Sequence, residues 1–305
     1  MEKEKEIIDH KIDFSVIFSV KDANPNGDPH NDNRPRERRD SDGKTHIVIA
    51  PVCLKHKIRY RLHSFGETIF ILPEDIIGDG QTCLQDRAKA LLTAKSLLKG
   101  PDAEIRQAVT AEWADIRMFG SVILDKESKA EKKMKNIGIS GPITMSDAVS
   151  IEPLHYITQH ITRCIDGTER AKGKSKGSDT MGSRHLIPFG IFICHGSIDA
   201  IQAKNTGLTR KDVDNFIEAM RTMFIGDASA ARPAGSMNVM RVIVWEHNGI
   251  EGKYSEEDCG GVVDLQESIH ITRKEGGKKD SPNGYEVTVD EVPGAPVPVI
   301  YKGKN

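Results

Sequence analysis

Few side chains in this sequence stand at spacings suited to covalent chemistry. Asp22 lies just before the turn "NPNGDP" and Asp28 within it. Carboxylate oxygens are what a hard cation such as Mg²⁺ takes, and a metal held there would cut a bound RNA strand, with Asp28 as the residue to suspect. His155 and His160 are five residues apart, a spacing that no helix face brings together and that a strand sends to opposite sides. Cys194 and His195 are neighbours, so in a strand they point apart and make a poor nucleophile–base pair. Neither H-E-x-x-H nor G-x-S-x-G occurs, and the nucleotide-cradling patterns G-x-G-x-x-G and G-K-[ST] are missing. Five scattered cysteines, at positions 53, 83, 164, 194 and 259, contain no C-x-x-C pair, which argues against a zinc site or a disulfide framework. The expectation is a chain without a metal or a cofactor.

The cations carry more information. Net charge is only −2, yet its distribution is uneven. From Arg34 to Arg61 nine Lys/Arg face three acidic residues, and from Arg163 to Arg184 six face three. From Glu246 to Glu291 the balance reverses, with twelve acidic residues against five basic. A molecule polarised in this way holds a polyanion on one side while staying near neutral overall; solvated loops are the plainer explanation of the same runs. Three stretches suit an anionic strand. The first is the turn with Asn24, Asn26 and Gly27, followed by Arg34, whose backbone N–H groups lie near Lys55 and Arg59 on the next helix and make a phosphate cradle. The second runs from Gln159 and Arg163 through a Gly/Ser/Lys-rich loop to Met181 and Arg184, where an apolar side chain is placed to wedge between bases. The third is "GDASAARPAG", whose small residues allow close approach around Ser229 and whose Arg232 offers a fork for phosphate. Arg117 is either a fourth phosphate contact or a structural ion pair.

These residues need a scaffold. "KIDFSVIFSV" alternates Ile12, Phe14, Val16, Phe18 and Val20, the pattern of a half-buried strand. A helix starts near Pro51, with Leu54, Ile58 and Leu62 as its buried stripe. Lys55 and Arg59 fall about 100° around from that stripe, outside the core face. Two helical stretches follow, closed by Gly100 and Gly120, and then the charged linker "SKAEKKMKN". Two long strands flank the basic loop. Thr209 and Asp212 open an amphipathic helix with a near capping box, "VMRVIVWEH" is a strand, "SIHITR" with "YEVTVDEV" a late hairpin, and the proline-rich tail is extended. Without insertions the order is strand, helix, strand, strand, helix, strand, the split β-α-β plan. The fold class expected is α+β: residues 1–305 as one RRM-like (ferredoxin-like) palm, with a helical finger-like insertion at about 66–142 and a thumb-like hairpin at about 152–190. No apolar run is long enough to span a bilayer and the N-terminal residues lack a secretory core, so the expected location is cytoplasmic.

The segments "VKDANPNGDP", "CLKHKIR", "DIRMFG", "GPITMSDAVSIEP", "ITRC", "MGSRHLIPFG", "HGSIDA" and "MFIGDASAAR", in that order, resemble the repeated backbone subunit of the type I-C CRISPR surveillance complex, Cascade. A type I-B sister subunit shares the "NPNGDP" turn. The resemblance implies a non-catalytic protein whose copies polymerise along one CRISPR RNA (crRNA) as a helical ribonucleoprotein in antiviral defence. It implies that Asn24, Asn26 and Gly27 lie beside the guide, Lys55 and Arg59 on its phosphates, Gln159 to Arg184 in a thumb reaching the next copy, and Ser229 to Arg232 at the palm edge. The implied partners are the crRNA, a target DNA strand, further copies, a crRNA-end-capping or processing subunit, a large subunit and a recruited helicase-nuclease, with no membrane. After "SAAR" this chain continues "PAGSM" where the family pattern has Gly-Glu-Met. Low aromatic content, 5%, favours holding the backbone over stacking bases. Sequence would then be read by base pairing.

Overall fold

The strand expected first is buried on both faces. A computed structural model of the chain describes residues 6–123, 136–162, 181–252 and 262–304. In it β1 (Ile12–Ala23) sends Phe14, Val16, Phe18 and Val20 into the main core. Asp13, Ser15, Ile17 and Ser19 on the other face are buried too, because later segments of the chain cover it. Then come β2 (Gly27–Asp28), β3 (Arg34–Arg39), β4 (Thr45–Ile49) and helix α1 (Pro51–Ser64). Helices α2 (Glu74–Ile77), α3 (Leu84–Ala94), α4 (Asp102–Glu112) and α5 (Ala114–Phe119) lead to β5 (Gly120–Ile123) and β6 (Ile137–Ser140). Strands β7 (Ile143–Met145), β8 (Ala148–Ser150) and β9 (Ile157–Thr162) precede the long β10 (Met181–Ile198). The rest is α6 (Ala200–Thr206), α7 (Arg210–Arg221), β11 (Met237–Glu246), α8 (Val262–Glu267), β12 (Ile269–Arg273), β13 (Tyr285–Val289) and β14 (Val299–Lys302).

The sheet runs β14-β11-β1-β10-β8-β4-β3-β2, with β7 and β9 also on β10. Its centre, β11-β1-β10-β8, is antiparallel throughout and carries α1 and α7 on one face, so the α+β architecture is as expected. Leu54, Ile58 and Leu62 of α1 are fully buried against β1, beside Val213, Phe216 and Met220 of α7. The reciprocal capping box at Thr209 and Asp212 starts α7. On the opposite face Ile17, Ile191, Ile243 and Trp245 pack against Leu265 and Tyr285, next to the β12–β13 hairpin. The sheet surface on which RNA-recognition motifs stack bases is therefore occupied by this chain's own C-terminal elements. Among the described residues no helix is long and apolar enough to cross a membrane.

Two elements differ from the sequence reading. The arginines behind the first turn, given no element from the sequence, form a strand: Arg34–Arg39 are β3, paired in register with β4, Arg36 opposite Val48 and Arg38 opposite His46. The β-branched "THIVI" supplies the partner that this polar run needs to become a strand. The first insertion helix stops at Ala94 rather than at Gly100, with Ser96 in the left-handed region (φ 58°). The helical insertion has a core of its own, including Phe70, Leu92, Ile105, Val109, Trp113 and Ile139. The linker at 124–135 and the basic loop at 163–180, Arg163 included, lie outside the described residues.

Candidate nucleic-acid interface

The "NPNGDP" turn is a hub at the end of β1. Asn24 N–H donates to the Ala231 carbonyl (2.8 Å) and so ties the turn to the loop between α7 and β11. Asn26 Oδ1 accepts the Ala50 N–H (2.8 Å), satisfying a backbone donor at the start of α1, and Cys53 Sγ donates to the Pro25 carbonyl (3.3 Å). Asp32 faces Nε2 of the buried His185 (3.2 Å), whose Nδ1 pairs with Thr158 Oγ1 (2.9 Å), so the base of the β9–β10 hairpin rests on the turn that follows. Gly27 is required by close approach: a Cβ there would sit 2.7 Å from the Asn33 carbonyl oxygen. Asn24 Nδ2 donates to that same oxygen (2.6 Å), while its buried Oδ1 has no hydrogen-bond partner among the described residues.

The predicted hairpin residues stand beside this hub. Gln159 and Arg184 are directly opposite across β9 and β10, Gln159 exposed and Arg184 half-buried. Every residue of β9 is exposed, including Ile157 and Ile161 on the Gln159 face. Met181 opens β10, its backbone paired with Thr162. Arg34 is exposed, and Arg36, two residues on, lies 3.5 Å from Asp28. Asp28 Oδ1 also accepts the His30 N–H (3.1 Å), so this carboxylate is engaged within its own turn.

Helix α1 does not present its cations as expected. Arg59 is buried, not outside the core face: its Nε donates to Asp115 Oδ2 (2.8 Å), and Asp115, itself fully buried, also accepts the Phe70 and Ile71 N–H groups (2.7 and 3.1 Å). Lys55 is half-buried over the Phe119 ring (4.9 Å to its centroid); burial, then the nearby Arg59 charge, lowers its pKa. Arg117 makes a bidentate pair with Asp212 (2.9 and 2.7 Å). A groove walled by Lys55 and Arg59 is therefore absent. About 100° around a helix separates the pair from the core stripe, but a large insertion packs on that flank and takes both side chains.

The other flank of α1 was not singled out in the sequence. Lys57 is 3% exposed and its Nζ meets Asp227 Oδ2, the same oxygen that accepts Arg232 Nε (2.9 Å). Burial lowers the Lys57 pKa against the pull of the Cys53 and Asp227 charges. Arg232 and Ser229 close a tight turn by reciprocal backbone bonds (2.8 and 3.0 Å); Ser229 is exposed and the Arg232 side chain 27% exposed. A cleft of about 330 Å³ between α1 and this loop is lined by His56, Lys57, Tyr60, Arg61, Asp227 and Arg232. The only sequence signal for Lys57 was its place in the basic run, since Asp227 lies 170 residues away.

A protein described as CRISPR-associated protein Cas7, from Haloferax volcanii, is 28% identical over 226 residues, which cover 68% of this chain and 62% of that protein. The chain thus spans under two thirds of that relative's length. A solved structure described as "CRISPR RNA-guided surveillance complex, pre-nicking" aligns with a TM-score of 0.48 at 13% identity, over 77% of each chain. Another, "CRISPR RNA-guided surveillance complex", gives 0.44 at 12% identity, over 88% of this chain and 78% of that one. The profile of the family described as CRISPR-associated protein Cas7 matches residues 10–290, nearly the whole sequence, and the chain belongs to that family.

Proposed function

We propose that this chain is a non-catalytic, guide-RNA-binding backbone subunit of a CRISPR surveillance complex. In this reading successive copies hold one crRNA by its phosphates and leave its bases free to pair with target DNA. The single observation that carries it is the convergence at the end of β1: the loop at Ser229–Arg232 joins the "NPNGDP" turn through Asn24 and Ala231, and the hairpin base joins the turn that follows through Asp32 and His185. Arg34, Arg184 and Arg232 belong to these converging segments and are exposed or part-exposed, and guanidinium groups suit phosphate and are indifferent to base identity. A few contacts per copy become strong binding when neighbours share one strand. The type I-C assignment, a palm with finger-like insertion and thumb, the further Cascade partners and the cytoplasmic setting belong to the same proposal and rest on the sequence resemblance. Asp28, the residue of a nucleolytic alternative, is held by His30 and Arg36, and no observation favours that alternative.

The test is the purified protein's ultraviolet spectrum together with labelled single-stranded RNAs of unrelated sequence. The expected result is a 260/280 ratio raised by bound nucleic acid and lost on RNase treatment, with equal affinity for every sequence. A protein that carries no RNA and binds none, or that cuts RNA with Mg²⁺ and loses the cuts in Asp28→Ala, contradicts the proposal.

A further inference from the structure

Lys274, from the stretch counted as acidic in the sequence, meets two cations from outside that stretch in a basic cleft. Between the β11–β14 edge and the segment 274–287 lies a cleft of about 370 Å³ lined by Asn238, Arg241, Lys274, Asn283, Glu286 and Lys302, among others. Three cations face one carboxylate. Arg241 and Lys302 are direct cross-strand partners, a like-charge pairing that costs stability in an antiparallel ladder. No ion pair to Arg241, Lys274 or Lys302 occurs among the described residues; the Arg241 Nη1 contact is to a carbonyl, that of Met240 (2.7 Å).

The cleft walls are held firmly. Lys274 N–H bonds the Gly284 carbonyl (2.9 Å) and Gly284 N–H the Ser281 carbonyl (3.0 Å), which close the loop that presents Lys274. Gly303 lets β14 lie against β11, since a Cβ there would overlap the Val239 carbonyl oxygen. Asn238 lines this cleft and also the one of about 240 Å³ beside Arg232, so the two clefts are neighbours. Tyr285, the aromatic residue in the lining, is 5% exposed and donates its hydroxyl to Glu152 (3.1 Å), which leaves no open ring for a base to stack on.

We infer that the Arg241–Lys274–Lys302 cleft is a second binding site for a single-stranded nucleic-acid backbone, separate from the turn and contacted through phosphates. The inference rests on the RNA-binding reading above. An anionic strand there relieves the cross-strand repulsion that the free protein carries.

Two double variants of the full chain separate the inference from that reading: Lys274→Ala/Lys302→Ala in the cleft and Arg34→Ala/Arg232→Ala at the turn. Each is titrated with labelled single-stranded RNA at increasing KCl. The cleft variant is expected to bind several-fold more weakly, with a salt slope shallower by about 1.4, since each phosphate contact contributes about 0.7. Lys302→Gln should raise the melting temperature of the RNA-free protein while weakening binding, opposite signs that a merely structural lysine does not give. Wild-type affinity and slope in the cleft variant, with loss in the turn variant, overturn the cleft and leave the RNA-binding reading intact. Wild-type behaviour in both variants overturns both. Competition by inorganic phosphate or by polyglutamate as strong as by unlabelled RNA also overturns the assignment, in favour of a small anion or an acidic protein.

Discussion

The cations of helix α1 and its neighbours divide into two kinds of cluster. Where α5 meets α1 and α7, each carboxylate has one guanidinium: Arg59 with Asp115 and Arg117 with Asp212. These pairs are largely buried, and both carboxylates are further satisfied, Asp115 by two backbone N–H groups and Asp212 by the N–H and hydroxyl of Thr209 (both 2.8 Å). Between α1 and the loop that follows α7, two cations share the single carboxylate of Asp227, and Arg232 remains part-exposed. The first arrangement is neutral and closed, and it clamps α5 to α1 and α7. The second leaves a net positive charge at the mouth of a cleft. Stoichiometry and exposure, rather than residue type, separate cations that hold the protein together from cations that face a ligand.

That contrast is broken most sharply at Asp115. Asp115→Ala leaves Arg59 buried without its partner and two backbone donors unmet, so it should cost about 3–5 kcal/mol, read as a lower urea midpoint, while the molecules still folded bind RNA like the wild type. Asp212→Asn should cost about 1.5–3 kcal/mol and change the acid limb of stability. Burial pushes the Asp212 pKa up, but Arg117 and Thr209 outweigh it and hold the carboxyl below the usual range. Its contribution is therefore complete above the ordinary carboxylate pKa and fades as pH falls through the lowered one; the asparagine variant should lose that part of the pH dependence in denaturation curves taken at successive pH values. Asn26→Ala removes the acceptor for Ala50 N–H, with an expected loss of about 1 kcal/mol by chemical denaturation. Arg232→Ala should leave the unfolding transition within about 0.5 kcal/mol but flatten the salt slope of RNA binding by about 0.7.

Periodic patterns were legible in the sequence, and partnerships were not. Alternation marked the core face of β1, and the i, i+4 spacing of Leu54, Ile58 and Leu62 marked that of α1, because one face against one core is a local property. The capping box at Thr209 and the hairpin of β12 and β13 were visible for the same reason. Arg34–Arg39 carried no strand signal because its strand character comes from β4. Arg59 looked available because the carboxylate that claims it is 56 residues distant. The resemblance of short segments singled out both the turn and the loop at Ser229–Arg232, but what joins them, a backbone bond from Asn24 to Ala231, leaves no trace in side-chain composition. The basic cleft was hidden by counting charge along the chain: its lysines and arginine come from three segments, one inside the most acidic stretch.

Photocrosslinking of the full-length protein to 4-thiouridine-substituted single-stranded RNA, followed by peptide mapping, tests the central claim most directly. Adducts should fall in residues 24–36 and 228–236, around the turn and the palm-edge loop. Adducts confined to the insertion side, around Arg59 and residues 114–119, would contradict the account.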